Sequence, residues 1–288
     1  MHVLDCMVRR ALARPIDVMH LGRDRVICAY EAAGFVIDPG PESSLATLLE
    51  GLGRERPRGL LLTHIHLDHA GATGALVERF PGLPVYVHER GAPHLIDPSR
   101  LLASARRLYG DDMKRLWGEV VPVPESNVRP LSGGERIEGF HVAYTPGHAS
   151  HHVCYLHEST GDAYVGDMAG VRIPPSRFTF PPTPPPDIDV EAWAASLDLI
   201  AGWDPAAVCL THFGRYEDVG PQLAAVRARL RDWAERVRHQ DVDEFRRSLE
   251  DEIRAEADEA TAESYVQAAP PEQLHAGLTR YWQRRKAA

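Results

Sequence analysis

The stretch 60-LLLTHIHLDHAGATG-74 places three histidines and an aspartate, His64, His66, Asp68 and His69, within six residues. Leu60, Leu61 and Leu62 read as the end of a buried strand, and the residues after His69 are small. Imidazoles and a carboxylate left unpaired in such a place cost about 1–3 kcal/mol each. A divalent cation satisfies several of them at once. In an extended segment, residues two apart point the same way, so His64 and His66 can grip one ion. Asp68 and His69 lie past the bend and point elsewhere, which suggests a second ion beside the first.

Three later segments supply donors in matching contexts. His148 lies in 145-TPGHASHH-152, Asp167 in 163-AYVGDMAG-170 and His212 in 208-VCLTHFG-214, each at the end of an apolar, strand-like run. Strand ends are rigid and the loops beyond them are open, a combination suited to a preorganised site. The set holds five histidines and two aspartates, enough for two zinc-like ions with positions left for water.

THIHLDH resembles the HxHxDH motif of the metallo-β-lactamase-fold hydrolases, and the later TPGH, GD and TH elements follow in that family's order. Four separated motifs agree, over about residues 17–217. The resemblance implies an α/β fold, a four-layer αββα sandwich in which two mixed sheets carry helices outside and the metal site lies at one edge between the sheets. It implies that His64, His66 and His148 hold a first metal, that Asp68, His69 and His212 hold a second, and that Asp167 bridges the two. The expected cofactor is two divalent ions, zinc first, since His/Asp sites also accept iron or manganese.

Two adjacent cations lower the pKa of a shared water to near neutrality. The expected chemistry is therefore attack by a metal-bridging hydroxide on an electrophilic carbonyl, with Asp68 also holding the water through its free oxygen. No serine or cysteine nucleophile is required. His151 stands where many family members have glycine and is a candidate to touch substrate. Tyr216, four residues past His212, is a candidate to steady a developing oxyanion, and Arg172, Arg177 and Arg215 are candidates for a carboxylate clamp. His20, His88, His94, His141 and His157 lack ligand spacing and read as structural. The expected substrate is a small-molecule ester, lactone or thioester. Alternatives are a glyoxalase II-like thiol-ester hydrolase, whose helical domain also follows the last ligand histidine, then a phosphodiesterase or a single-iron enzyme similar to persulfide dioxygenases. Flavodiiron proteins carry glutamate at the second histidine, and His66 argues against that reading.

The formal charge of the 288 residues is 32 − 41 = −9, which argues against a protein that tracks phosphates on nucleic acid. No stretch approaches the roughly 18 apolar residues of a membrane span, and Asp5, Arg9 and Arg10 interrupt any leader-like run in MHVLDCMVRRALARP. Cys6, Cys28, Cys154 and Cys209 lie far apart with no CxxC, as expected for reduced thiols in a cytoplasmic protein.

Outside the motifs, strand-like runs fall at 26–30, 34–40, 59–63, 84–88, 120–123, 136–145, 152–156, 163–167 and 207–212. Helices are expected at 43–52, capped by Ser43 or Ser44, at about 71–80, irregularly through 89–118, and at about 189–201. Seven of the thirteen residues in 174-PPSRFTFPPTPPP-186 are proline, which excludes helix or central strand there. That segment, with Phe178 and Phe180, is expected to wall the substrate pocket. Residues 1–217 then form the catalytic domain and 218–288 a C-terminal helical region. This region carries three amphipathic stripes, around Trp233, Phe245 and Trp282, whose apolar faces suggest a homodimer.

Overall fold

The structure, a computed structural model, describes residues 13–287. Cys6 and all but the last three residues of the segment read for a leader lie outside these residues. Short β-branched and aromatic runs separated by tight turns build two six-stranded sheets. The first sheet contains, in spatial and sequence order, β1 (Arg14–Asp17), β2 (Cys28–Ala32), β3 (Phe35–Ile37), β4 (Gly59–Leu61), β5 (Val85–His88) and β6 (Val128–Leu131). Ala33 and Gly34, both at positive φ, turn β2 into β3, as a two-residue hairpin loop requires. From β3 to β6 the strands run parallel. The second sheet contains β7 (Arg136–Ile137), β8 (Phe140–Tyr144), β9 (Val153–His157), β10 (Asp162–Gly166), β11 (Ala207–Leu210) and β12 (Gly214–Tyr216), antiparallel except between β10 and β11.

Helices cover both outer faces. The first sheet carries α1 (Leu45–Leu52), α2 (Leu67–Ala70), α3 (Thr73–Arg79) and α4 (Ala92–Ile96), followed by α5 (Ser99–Tyr109) and α6 (Met113–Trp117). The second is covered by α7 (Val190–Gly202), α8 (Val219–Arg236), α9 (Val242–Glu256), α10 (Glu259–Ala268) and α11 (Pro271–Ala287). Between the sheets lies an aromatic core of Tyr30, Phe35, Phe140, Tyr155 and Tyr164, with Leu61 and the buried thiols of Cys28 and Cys209. The result is the αββα sandwich.

Several elements differ from the sequence reading. Residues 120–123 form no strand, because Pro122 and Pro124 remove ladder donors. The strand is β6, eight residues on, and its Pro130 is tolerated because β6 is a sheet edge. The run 136–145 is a hairpin, broken by Glu138 and Gly139 at positive φ. The helix expected at about 71–80 is α3, and a separate single turn, α2, precedes it across the His66–His69 bend. Ser44 occupies the N-cap of α1 without a capping bond, while Ser43 Oγ donates to Leu116 O at 2.6 Å.

The C-terminal region has four helices where three were expected. The acidic run 251–260 is interrupted at Ala257, and Asp258 caps α10 by accepting from Thr261 N at 2.8 Å. Their apolar faces are buried within the chain. Trp233 is packed between Phe180 and Phe245, with ring centroids 5.3 and 5.5 Å away. Tyr265 Oη donates to Phe178 O at 2.6 Å, and Trp282 Nε1 to Ala234 O at 2.6 Å. Each large side chain so buried contributes about 1.5–3 kcal/mol. Phe178 and Phe180 therefore anchor the C-terminal helices and do not wall a pocket. The apolar stripes that suggested a homodimer are largely covered by the chain itself, with Val242 left exposed, and the oligomeric state stays an expectation for light scattering to decide. One apolar cluster runs from Val165 and Val208 in the sheet to Leu278 in α11, across the boundary read at 217/218.

Candidate metal centre

The chain after β4 stays extended through His66 and then bends into α2, so His64 and His66 leave on one side and Asp68 and His69 on the other. His148 lies in the β8–β9 loop, Asp167 directly after β10 and His212 just past β11. All seven converge at one edge of the sandwich. The ligand atoms form two groups: His64, His66, His148 and Asp167 in one, and Asp68, His69 and His212 in the other, with atoms in each within 4.8 Å of one another.

In the first group, His66 Nδ1 lies 3.0 Å from both His64 Nε2 and His148 Nε2, and His148 Nε2 lies 3.2 Å from Asp167 Oδ2. In the second, His212 Nε2 lies 3.3 Å from Asp68 Oδ2, and His69 Nε2 lies 3.7 Å from the same oxygen. Asp167 Oδ1 reaches toward this group, 3.2 Å from His69 Nε2 and 3.6 Å from His212 Nε2. One carboxylate thus presents an oxygen to each group.

Hydrogen bonds on the outer side of the rings decide which nitrogens face inward. His148 Nδ1 donates to Pro182 O at 2.9 Å, His212 Nδ1 to Val26 O at 2.7 Å and His69 Nδ1 to Asp38 Oδ2 at 2.8 Å. Thr63 Oγ1 gives its proton to Asp38 Oδ2 at 2.6 Å and so accepts from His64 Nδ1 at 3.1 Å. Each Nε2 is left with a lone pair aimed at the centre. Lone pairs about 3 Å apart repel one another unless a cation lies among them. His69 Nε2 and Asp167 Oδ1 are also buried without a hydrogen-bond partner. The donor set therefore fits metal ions, with His, His, His and carboxylate on one side and His, His and carboxylates on the other.

Electrostatics agree. Burial and the neighbouring imidazoles push His64 well down, and burial with His148 brings His66 to about 4, so both are neutral ligands at pH 7. Burial would lower His69 and His212 as well, but the nearby carboxylates, Asp167 first, outweigh it and raise both rings, so that at the second group a proton takes the place of the cation and must leave for Nε2 to bind metal. Burial opposes ionisation of Asp68 and Asp167, yet the histidines keep both carboxyls below the usual range. That is a cluster of negative charge in need of cations.

Asp38 is the residue that sequence reasoning missed. It is buried at the end of β3, at positive φ, and takes four donors: Thr63 N, Thr63 Oγ1, Thr211 Oγ1 and His69 Nδ1, at 2.6 to 3.0 Å. It ties together the strand ends that carry His64 and His212. The only hint in sequence was DPG after an apolar run, which reads equally as a turn.

The centre forms the floor of a cavity of about 420 Å³. His66, Asp68, Asp167 and His151 reach it, with Ile65, Leu67, Leu101, Tyr109 and Trp117 among its walls. Pro182 and Pro184 through Pro186 line it too, so only the distal half of the proline-rich segment is a wall. His151 stands 5.8 Å from His66, ring to ring, and burial followed by His66 pushes it down to about 3. His20 and His94 also line the cavity although their spacing carried no signal; His20 stacks on Trp117 at 5.5 Å. Tyr216 does not line it. Its hydroxyl donates to Arg172 O at 2.8 Å, and the Arg172 guanidinium lies over its ring. The proposed arginine clamp is likewise not at the cavity: Arg172 and Arg177 face Asp218, and Arg215 faces Asp162 and Glu217.

The sequence model of the metallo-beta-lactamase superfamily matches residues 26–212, the span from β2 to the last ligand histidine. The chain belongs to the metallo-beta-lactamase superfamily. It is similar to the metallo-beta-lactamase fold-containing protein ST1585 of Sulfurisphaera tokodaii, 29% identical over 216 residues, covering 70% of this chain and 76% of that one. The crystal structure of ST1585 superposes with a TM-score of 0.68 at 21% identity, over 94% of this chain and 98% of the other, so the C-terminal helices are part of the shared fold. A hydroxyacylglutathione hydrolase of Thermosynechococcus vestitus is 34% identical over 137 residues, 46% of this chain and 42% of that enzyme. The chain thus matches less than half the length of that relative. TTHA1623, solved in a di-iron-bound form, is 30% identical with a TM-score of 0.53, over 69% of this chain and 93% of that one. Among the described residues, no helix is long and apolar enough to cross a membrane.

Proposed function

We propose that this superfamily member is a binuclear metal-dependent hydrolase of a small-molecule ester, lactone or thioester. The observation that carries the reading is the pair of donor groups joined through the two oxygens of Asp167 at the floor of the cavity. Divalent ions, zinc first and iron or manganese as alternatives, supply Lewis acidity there and lower the pKa of water. His64, His66 and His148 would hold one, Asp68, His69 and His212 the other, with Asp167 between.

The chain's own contributions follow from position. Asp68 is the more exposed of the two carboxylates, 21% against 4% for Asp167. Its Oδ2 faces His69 and His212, which leaves Oδ1 to hold a water toward the cavity and accept its proton. His151, neutral at pH 7, can donate to or accept from substrate at the side of His66. Ile65, Leu67 and Trp117 keep bulk water from the reacting carbonyl.

A glyoxalase II-like thiol-ester hydrolase is the second reading, favoured by the hydroxyacylglutathione hydrolase relative. The di-iron form of TTHA1623 keeps iron among the candidate metals. The deciding experiment offers the metal-replete protein a panel of esters, lactones, thioesters including S-lactoylglutathione, and phosphodiesters. Cleavage of a carboxylic ester, lactone or thioester that stops on chelation and returns with metal supports the proposal. Turnover of phosphodiesters alone, or of none of the panel, sinks it.

A further inference from the structure

One face of α5 runs along the cavity. Arg100, Leu101, Ser104, Ala105, Leu108 and Tyr109 line it, the spacing of a single helical stripe. At the α-helical rise, Arg100 and Leu108 stand about 12 Å apart along the axis. The two ends differ in chemistry. Tyr109 lies against Trp117 with ring centroids 5.0 Å apart and feels the charge of Asp68, and Leu108 beside it leaves an exposed apolar side chain at the cavity. Arg100 begins the helix, just after His94 on α4, and His94 in turn bears on His151.

Arg90 lines the same cavity. It donates to Tyr144 Oη at 3.0 Å, and Tyr144 Oη donates to Ser150 O at 3.0 Å, next to His151. Among the described residues, neither Arg90 nor Arg100 has a carboxylate within 4.0 Å. Asp187, which lines the cavity, has its Oδ2 engaged by Ser150 N at 3.3 Å and Ser150 Oγ at 2.5 Å, while Asp97, which feels the charge of Arg100, does not line it and accepts from Ser99 N and Ser99 Oγ. Two unpaired guanidiniums at a cavity, in a chain of net charge −9, are poised for an anion.

We infer that the substrate is an amphipathic anion, an ester or thioester whose apolar acyl half lies along Leu108, Tyr109 and Trp117 and whose leaving half carries an acidic group to Arg90 and Arg100. The reading rests on the hydrolase proposal. The scissile carbonyl falls between the two ends, over the floor formed by His66, Asp68 and Asp167. A cavity of about 420 Å³ is in the range of small-molecule sites. That suits a medium-chain acyl group on a short acidic alcohol or thiol.

Two measurements test it on the protein purified without chelator. Calorimetry compares octanesulfonate, a weak metal ligand, with octanol. Hydrolysis compares the hexanoyl ester of glycolate with the same ester of glycolamide. Each anion should be favoured by about tenfold or more, the weight of one charge-assisted hydrogen bond. The ratios should fall toward one in an Arg90→Ala/Arg100→Glu double variant. Equal affinity for octanesulfonate and octanol, or ratios that the double variant leaves intact, overturns the inference. If octanesulfonate binds in an arginine-dependent way but neither ester is cleaved, the anion site stands and the hydrolase reading falls. If both esters are cleaved at equal kcat/KM, the hydrolase reading stands and this inference falls.

Discussion

Replacement of Asp38 by alanine tests the idea that one buried carboxylate holds the metal-bearing strand ends in register. The change removes the partner of four donors, Thr63 N, Thr63 Oγ1, Thr211 Oγ1 and His69 Nδ1. A buried donor left unpaired costs about 1–3 kcal/mol. Alanine at positive φ adds ~1–2 kcal/mol of backbone strain that aspartate bears more easily. Water entering the vacated polar space returns part of this. The expected net loss is about 4–6 kcal/mol, a large share of the roughly 5–15 kcal/mol that holds a typical domain folded. At ~2–4 °C per kcal/mol for a chain of this class, thermal unfolding in chelator should move down by roughly 10–20 °C. His69 would also lose the bond that keeps its Nε2 free, so the second metal equivalent should bind about 10–100-fold more weakly. Asp38→Asn should do less, because its oxygen can remain with the three donors at Oδ2 while only Thr63 N loses its acceptor. Differential scanning in chelator and zinc titration against a competing chelator read both effects. Melting of Asp38→Ala within 2 °C of the native protein, with both metal affinities unchanged, would refute the positioning role.

Asp68→Ala should leave the fold largely intact, since its side chain faces the cavity, yet lower kcat by about 10²–10⁴-fold; wild-type turnover on a good substrate would mean Asp68 neither holds the water nor completes the second group. A chain ended after Gly220 should aggregate, because it exposes Phe178 and Phe180 and loses the burial supplied by Trp233, Phe245 and Tyr265; a soluble product with a cooperative melt would contradict the single core. Burial pushes the Cys28 thiol from 9.0 up to about 12 and holds Cys209 and Tyr30 well above their ordinary values. Their raised folded pKa values stabilise the protein fully below about pH 9, and that contribution is lost as pH climbs toward 12, so urea midpoints should fall steadily across that window; a flat profile would show these groups ionise as readily folded as unfolded.

The seven donor residues were legible because their chemistry is local. His64, His66, Asp68 and His69 sit within one bend, and each other donor ends an apolar run. The same runs pointed to layered α/β packing, and the resemblance carried by the motifs implied the sandwich. What was not legible depended on contacts distant in sequence. Asp38 has no spacing signature; its meaning comes from Thr63, His69 and Thr211 converging on it. Phe178 and Phe180 looked like pocket walls because they follow Asp167 closely, but the helices that bury them come about 40 residues or more later. β6 was hidden by Pro130, which only an edge strand accepts. The break before α10 rests on the single cap Asp258 inside an acidic run. Arg90 and Arg100 gave no signal because their role is set by which cavity they reach, and Arg172 and Arg215, nearer the motifs in sequence, are spent on Asp218 and Asp162.

The central claim is that two donor groups joined by Asp167 hold two metal ions. Elemental analysis of the protein purified without chelator, expressed per chain by amino-acid quantitation, tests it most directly. The account predicts close to two equivalents of divalent metal. A fully occupied single equivalent, or none that can be reconstituted, would contradict it.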